Sequence, residues 1–132
     1  MYMTLKYKHV AIDFDGTIVH DGCYPYGGEF KENAVHVMKR IIAEGGEIAI
    51  WTCRNGKEQE AVVMDKLTDA GIYGFALNAP FEHFTNEYGG DNARKIFADT
   101  YIDDRSIHAQ QTGIDWFEIE KMLFEIVDKD KK

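Results

Sequence analysis

The sequence predicts an α/β fold in which helices pack against both faces of a central parallel sheet. Short apolar segments alternate along the chain with segments whose apolar residues recur at helical spacing. Strands that are joined through helices run parallel, and their crossovers are right-handed. A chain of 132 residues is long enough for one hydrophobic core and too short for two ordinary domains, so we expect residues 1–132 to form a single domain.

Each predicted element has its own signal in the sequence. The segment 31–44 predicts a helix because its apolar residues fall at i, i+3, i+4, i+7 and i+8, and two glycines end it. Asp115 is a predicted N-cap, and the same spacing predicts a helix from there to Val127. In chain order, the predicted elements are a strand over 8–13, a helix over 31–44, a strand over 47–52, a helix over 57–70, strands over 74–78 and 98–105, and the helix after Asp115.

Polar side chains follow three of the predicted strands. Asp13 and Asp15 end the first strand, Thr52 ends the second, and Asp103 with Asp104 ends the fourth. A polar turn would explain the polar residues at any one of these strand ends. It would not explain why three strands carry them at the same edge of the sheet. Because ligands of open parallel sheets bind at the carboxyl ends of the strands, this edge is the predicted active site.

Composition argues against several classes of protein. The net charge of -8 disfavours a nucleic-acid partner. Cys23 and Cys53 do not form a C-x-x-C pair, so neither a disulfide framework nor a thiolate zinc site is indicated. No apolar run approaches the roughly 20 residues that span a bilayer, and the N-terminus lacks the apolar core of a signal peptide. We therefore expect a cytoplasmic protein without a membrane partner.

Four motifs give the chain a family resemblance. The segment "DFDGT" at 13–17 matches the D-x-D-G-[TV] nucleophile motif of the haloacid dehalogenase (HAD) superfamily. Thr52 in "IAIWTCR" resembles the hydroxyl residue of the second motif, Lys95 in "NARKIFAD" the lysine of the third, and "YIDDR" at 101–105 the acidic pair of the fourth. The resemblance covers roughly residues 8–108. It implies a Rossmann-like, three-layer α/β/α domain of the small capless phosphatase type.

The resemblance implies a catalytic role for several residues. Asp13 would be the nucleophile that forms an aspartyl-phosphate, and Asp15 would protonate the leaving oxygen and later accept a proton from water. Thr52 would donate its hydroxyl to the phosphoryl oxygens, and Lys95 would neutralise the phosphate and the nucleophile. Gly16 would permit the sharp turn between the motif residues.

A metal ion is also implied. Clustered carboxylates repel one another unless a cation holds them ionised, and an all-oxygen set suits Mg²⁺. The implied ligands are Asp13, Asp15 and Asp104, and Asp15 would bind partly through its main-chain carbonyl. Asp103 would contact these ligands and not the ion itself. Arg54 would either touch the substrate phosphate or form a salt bridge.

The resemblance favours a phosphatase, because dehalogenating members lack an acid two residues past the nucleophile and the ATP-driven pumps carry threonine there. Only about 15 and about 24 residues separate the elements at the two cap-insertion points, so we expect an open site. Such a site suits a large phosphorylated substrate, or an oligomer whose neighbour covers it. The alternatives are a nucleic-acid or nucleotide end-processing phosphatase and a HAD-fold binding protein with little turnover.

Overall fold

The computed structural model describes residues 2–82 and 95–127, which form six strands and four helices. The elements are β1 Tyr2–Leu5, β2 His9–Ile12, α1 Ala34–Ala43, β3 Glu47–Ile50, α2 Lys57–Asp69, β4 Ala76–Leu77, β5 Thr100–Ile102, α3 Ile107–Thr112, α4 Trp116–Leu123 and β6 Phe124–Val127. None of these helices has both the length and the apolar character needed to cross a membrane.

The central sheet has four parallel strands in the order β4-β3-β2-β5. Ile12 lies opposite both Ile50 of β3 and Ile102 of β5, so the three strands end at the same level. The residues that follow them therefore meet at one edge of the sheet. The predicted mixed α/β fold with a parallel sheet is confirmed.

The two faces of the sheet are covered differently. Val10 and Ile12, together with their neighbours on β3, form one buried cluster with the apolar residues of α1, α2 and α4. Ala11 and Ala49 point to the opposite face, where the described cover comes from loop residues such as Phe81. Two successive right-handed crossovers in the same direction place α1 and α2 on the same face.

The connection from β4 to β5 includes residues 83–94, and its described residues Phe81, Ile96 and Ala98 pack against the opposite face. Residues 83–94, on which part of a predicted loop falls, lie outside the described part of the chain. Helices on both faces, and with them the three-layer arrangement, therefore stay a prediction.

The prediction for the C-terminal helix is wrong over its last turn. The helix α4 ends at Leu123, and Phe124–Val127 forms β6, which pairs antiparallel with β1 in a separate two-stranded sheet. Phe124 is buried beneath Arg40, whose guanidinium carbon lies 3.9 Å from the ring centroid. The β-favouring residues of this segment pair with a distant strand, and this tertiary contact overrides the helical spacing.

Candidate active site

Three carboxylates meet where β2 and β5 end. Asp13 follows β2, and Asp103 with Asp104 follows β5; one oxygen from each lies within 4.8 Å of the others. The backbone N–H of Asp13 donates to the carbonyl of Ile102 at 3.0 Å, which continues the pairing of the strands by one residue. The sheet register therefore brings together three of the predicted site residues, in a group that could hold a metal ion.

The hydroxyl of Thr17 joins two of these carboxylates. Thr17 is fully buried, and its Oγ1 lies 3.0 Å from Asp13 Oδ2 and 3.2 Å from Asp104 Oδ1. The same oxygen accepts the backbone N–H of Asp104 at 2.9 Å. From α4, Trp116 Nε1 donates to the Thr17 carbonyl at 2.8 Å. Thr17 was not among the predicted site residues, although its place at the end of "DFDGT" was an available signal.

Gly16 is required by two features of this turn. Its φ of +82° lies in the left-handed region that side chains rarely adopt. In addition, a Cβ at this position would collide with the carboxylate oxygen Oδ2 of Asp104. Gly16 therefore gives the chain its bend and also leaves room for an acidic side chain of the cluster.

The cluster changes the acidity of Asp13. Burial, followed by the hydrogen bond with Asp104 and the negative charge of Asp103, raises the pKa of Asp13 from 3.8 to about 7, and the hydrogen bond from Thr17 opposes the rise. Without a cation, Asp13 therefore keeps its proton to a higher pH than an ordinary aspartate does. A divalent cation bound by these oxygens would favour the ionised form, and an all-carboxylate set suits Mg²⁺. The donor set thus fits the predicted ion.

The carboxylate of Asp15 lies outside the cluster and is bound by Arg54. Arg54 Nε donates to Asp15 Oδ2 at 2.7 Å, and Nη2 donates to Oδ1 at 2.8 Å. The left-handed turn at Gly16 follows Asp15 directly, so the two aspartates do not share one face as they would on a continuous strand. The structure does not bring the Asp15 side chain to the predicted metal ligands, and its main-chain carbonyl stays a predicted ligand.

Thr52 follows β3 and is held by Asn78. The backbone N–H of Thr52 donates to Asn78 Oδ1 at 2.9 Å, and Asn78 Nδ2 donates to the carbonyl of Arg54 at 2.9 Å. The hydroxyl of Thr52 accepts the N–H of Arg54 at 3.2 Å, and its proton has no acceptor among the described residues. Among the described residues, nothing competes with a ligand oxygen for that proton. Asn78, which supports the loop from the end of β4, had no role in the sequence analysis.

Lys95 is a predicted site residue for which the described part of the chain shows no contact with the carboxylate cluster. Its Nζ lies 5.0 Å from the ring centroid of Tyr101. Within residues 2–82 and 95–127, no ion pair joins Lys95 to Asp13, Asp103 or Asp104. Its catalytic role therefore stays a prediction.

A solved structure of a conserved protein from Bacteroides thetaiotaomicron resembles this chain. The TM-score is 0.70 and the sequence identity 31%, over 93% of this chain and 90% of the other. The chain belongs to the family of this conserved Bacteroides protein. Membership of the Bacteroides protein family supports the mixed α/β fold along almost the whole chain, but it names no activity. Neither a family model nor a curated protein matches the sequence.

Proposed function

We propose that the protein is a Mg²⁺-dependent phosphomonoester hydrolase that acts through an aspartyl-phosphate. The observation that carries the proposal is the cluster of Asp13, Asp103 and Asp104, joined by the Thr17 hydroxyl, at the carboxyl edge of the parallel sheet. The resemblance of the sequence to the HAD superfamily supports the same reaction, because the nucleophile motif supplies the first of these carboxylates.

The proposed metal site uses residues already gathered by the fold. Asp13, Asp104 and Asp103 would hold the ion through carboxylate oxygens, and the ion would neutralise part of the charge of the phosphate and of the cluster. The raised pKa of Asp13 supports this assignment, because burial and then the neighbouring carboxylates disfavour a negative charge that a bound cation would stabilise. The charge of the ion would thus also stabilise the ionised form of the carboxylates that hold it.

In the first proposed step, a carboxylate oxygen of Asp13 attacks phosphorus. The bond between phosphorus and the ester oxygen breaks, and Asp15 gives that oxygen its proton, so the alcohol leaves and an aspartyl-phosphate remains. Thr52 donates its free hydroxyl proton to a phosphoryl oxygen and orients the group for attack. Asp15 must therefore carry a proton when the substrate binds, and its side chain lies outside the carboxylate cluster that would hold the ion.

In the second proposed step, water hydrolyses the aspartyl-phosphate. Asp15, now a carboxylate, takes a proton from the water, whose oxygen attacks phosphorus. The bond between phosphorus and the Asp13 oxygen breaks, which releases inorganic phosphate and regenerates both aspartates. One residue thus serves as acid in the first step and as base in the second.

The loop after Asp15 supports an open site. Residues 16–33 contain turns and isolated bridges, among them the pairing of Val19 with Phe30, and they contain no helix. No folded cap is therefore present at the first insertion point. We propose that the substrate is large enough to cover the site itself, or that a second copy of the chain covers it.

The proposal is tested by the hydrolysis of p-nitrophenyl phosphate with Mg²⁺ and with a chelator. Wild-type protein should be active only with Mg²⁺, and Asp13→Asn should lose at least about a thousandfold in kcat, because an amide does not attack phosphorus. Asp65→Asn, which removes the same charge from the exposed face of α2, is the matched control and should keep full activity. Undiminished turnover with the chelator, or equal rates for wild type and Asp13→Asn, would refute the proposal.

A further inference from the structure

We infer that Arg54 is a positioning residue that fixes the carboxylate of Asp15 for proton transfer and does not contact the substrate. The inference rests on the proposed function, since it concerns the acid and base of that reaction. Its basis is the hydrogen bonding of one buried guanidinium.

All the N–H groups of the Arg54 side chain are used inside the protein. The side chain is 2% exposed, and its hydrogen bonds lead to three places. Two go to the oxygens of Asp15, two go to main-chain carbonyls of the loop at Pro25 and Tyr26, and one goes to Gln59 Oε1 at 2.6 Å. A guanidinium carries five N–H donors, so none is left for a phosphate.

These bonds connect Asp15 to two other parts of the chain, the helix α2 and the loop at Pro25 and Tyr26. Gln59 lies in the first turn of α2, and the carbonyls of Pro25 and Tyr26 accept at 2.9 and 2.8 Å. Because the guanidinium is planar, its hydrogen bonds to Gln59, Pro25 and Tyr26 also fix the direction of the N–H groups that donate to Asp15. The position of the Asp15 carboxylate is therefore set by α2 and by the loop, in addition to its own backbone.

The arrangement leaves Asp15 able to exchange a proton. Each carboxylate oxygen has two lone pairs, and Arg54 uses one on each oxygen. The side chain of Asp15 is 26% exposed, in contrast to its partner, so a free lone pair can reach a leaving group or water.

The test is a comparison of Arg54→Lys, Asp15→Asn and the double variant. Lysine keeps the charge but does not reproduce the two parallel bonds to Asp15. With glycerol 2-phosphate, whose alkoxide leaving group needs a proton, Arg54→Lys should lower kcat roughly tenfold or more and change KM less than about twofold. With p-nitrophenyl phosphate, whose leaving group needs no proton, the loss in the first step should be about threefold or less.

The double variant separates positioning from substrate contact. In the Asp15→Asn background, the Arg54→Lys change should alter the burst of p-nitrophenolate less than about twofold, because the residue through which it acts is already lost. Arg40→Lys is the matched control, since Arg40 also holds a carboxylate, that of Glu120 at 2.9 Å, away from the site. If Arg54→Lys does not fold, Gln59→Leu removes one support of the guanidinium and should give the same selective loss in kcat, at a smaller size.

Other results would overturn the inference. A large rise in KM for both substrates, or an equal loss with and without Asp15, would make Arg54 a substrate-binding residue. These results leave Mg²⁺-dependent hydrolysis by wild-type protein in place. A wild-type protein that hydrolyses neither substrate would instead refute the proposed function, and this inference with it.

Discussion

Replacing Asp13 with asparagine should stabilise the metal-free protein at alkaline pH. The pKa of Asp13 is raised from 3.8 to about 7, chiefly by burial. Between these two values the folded state holds a proton that the unfolded chain has released. Metal-free wild-type protein should therefore lose stability as the pH rises through this window, and the loss should be complete above pH 7.

The size of the effect follows from the two pKa values. At about 1.4 kcal/mol for each pH unit between them, the penalty has a ceiling of about 4 kcal/mol. Asp13 is only partly buried, so solvent and salt screen the charge, and we expect about 1 to 3 kcal/mol. Asparagine has nearly the same shape and no charge, so it should avoid this penalty.

The assay is urea unfolding with a chelator at pH 5 and at pH 8. Asp13→Asn should be more stable than wild type by about 1 to 3 kcal/mol at pH 8, and the difference should shrink at pH 5. Asp65→Asn controls for the removal of one charge from a chain of net charge -8. The raised pKa of Asp13 would not explain an Asp13→Asn protein that is less stable than wild type. It would also not explain an increase in the free energy of unfolding that is equally large at pH 5 and at pH 8.

Three further predictions concern the same site. Mg²⁺ should raise the thermal midpoint of wild type at pH 8 by several degrees and leave Asp13→Asn nearly unchanged, as measured by calorimetry; equal shifts would place the ion elsewhere. Gly16→Ala should lower the free energy of unfolding by about 2 kcal/mol or more, because of the left-handed φ and the contact with Asp104. Gly22 has a similar φ but lies in open space, so Gly22→Ala is the control in urea unfolding. An equal loss of stability in both variants would show that the contact with Asp104 does not contribute. Lys95→Ala should lose about 2 to 4 kcal/mol of transition-state stabilisation, and a change below about threefold in kcat/KM would exclude the lysine from the site.

Much of the fold could be predicted because its signals are local. The helical spacing in 31–44 and 57–70 predicts α1 and α2, which the structure confirms within a few residues. The pairing of β1 with β6 had no local signal, because it joins segments at the two ends of the chain. The helical spacing of the apolar residues after Asp115 predicted a longer last helix, because spacing carries no information about pairing with a distant strand such as β1.

Part of the candidate site could likewise be predicted from the sequence. Sequence order and strand ends predicted that Asp13, Asp103 and Asp104 share an edge, and the structure brings them together. The direction of the Asp15 side chain was not predictable, because it depends on a turn at the next residue and on Arg54, which lies 39 positions along the chain. Contacts of this kind depend on tertiary structure and leave no periodic pattern.

The proposed reaction requires a covalent phosphoryl group on Asp13, and mass spectrometry can detect this group on the protein itself. Asp15→Asn protein is mixed with p-nitrophenyl phosphate and Mg²⁺, quenched in acid, digested and analysed by mass spectrometry. The leaving group needs no proton, so attack should proceed, while hydrolysis of the intermediate should be slow without its base. We predict a phosphoryl adduct on the peptide that contains Asp13. An adduct on another residue, or no adduct in a variant with full activity, would contradict the mechanism.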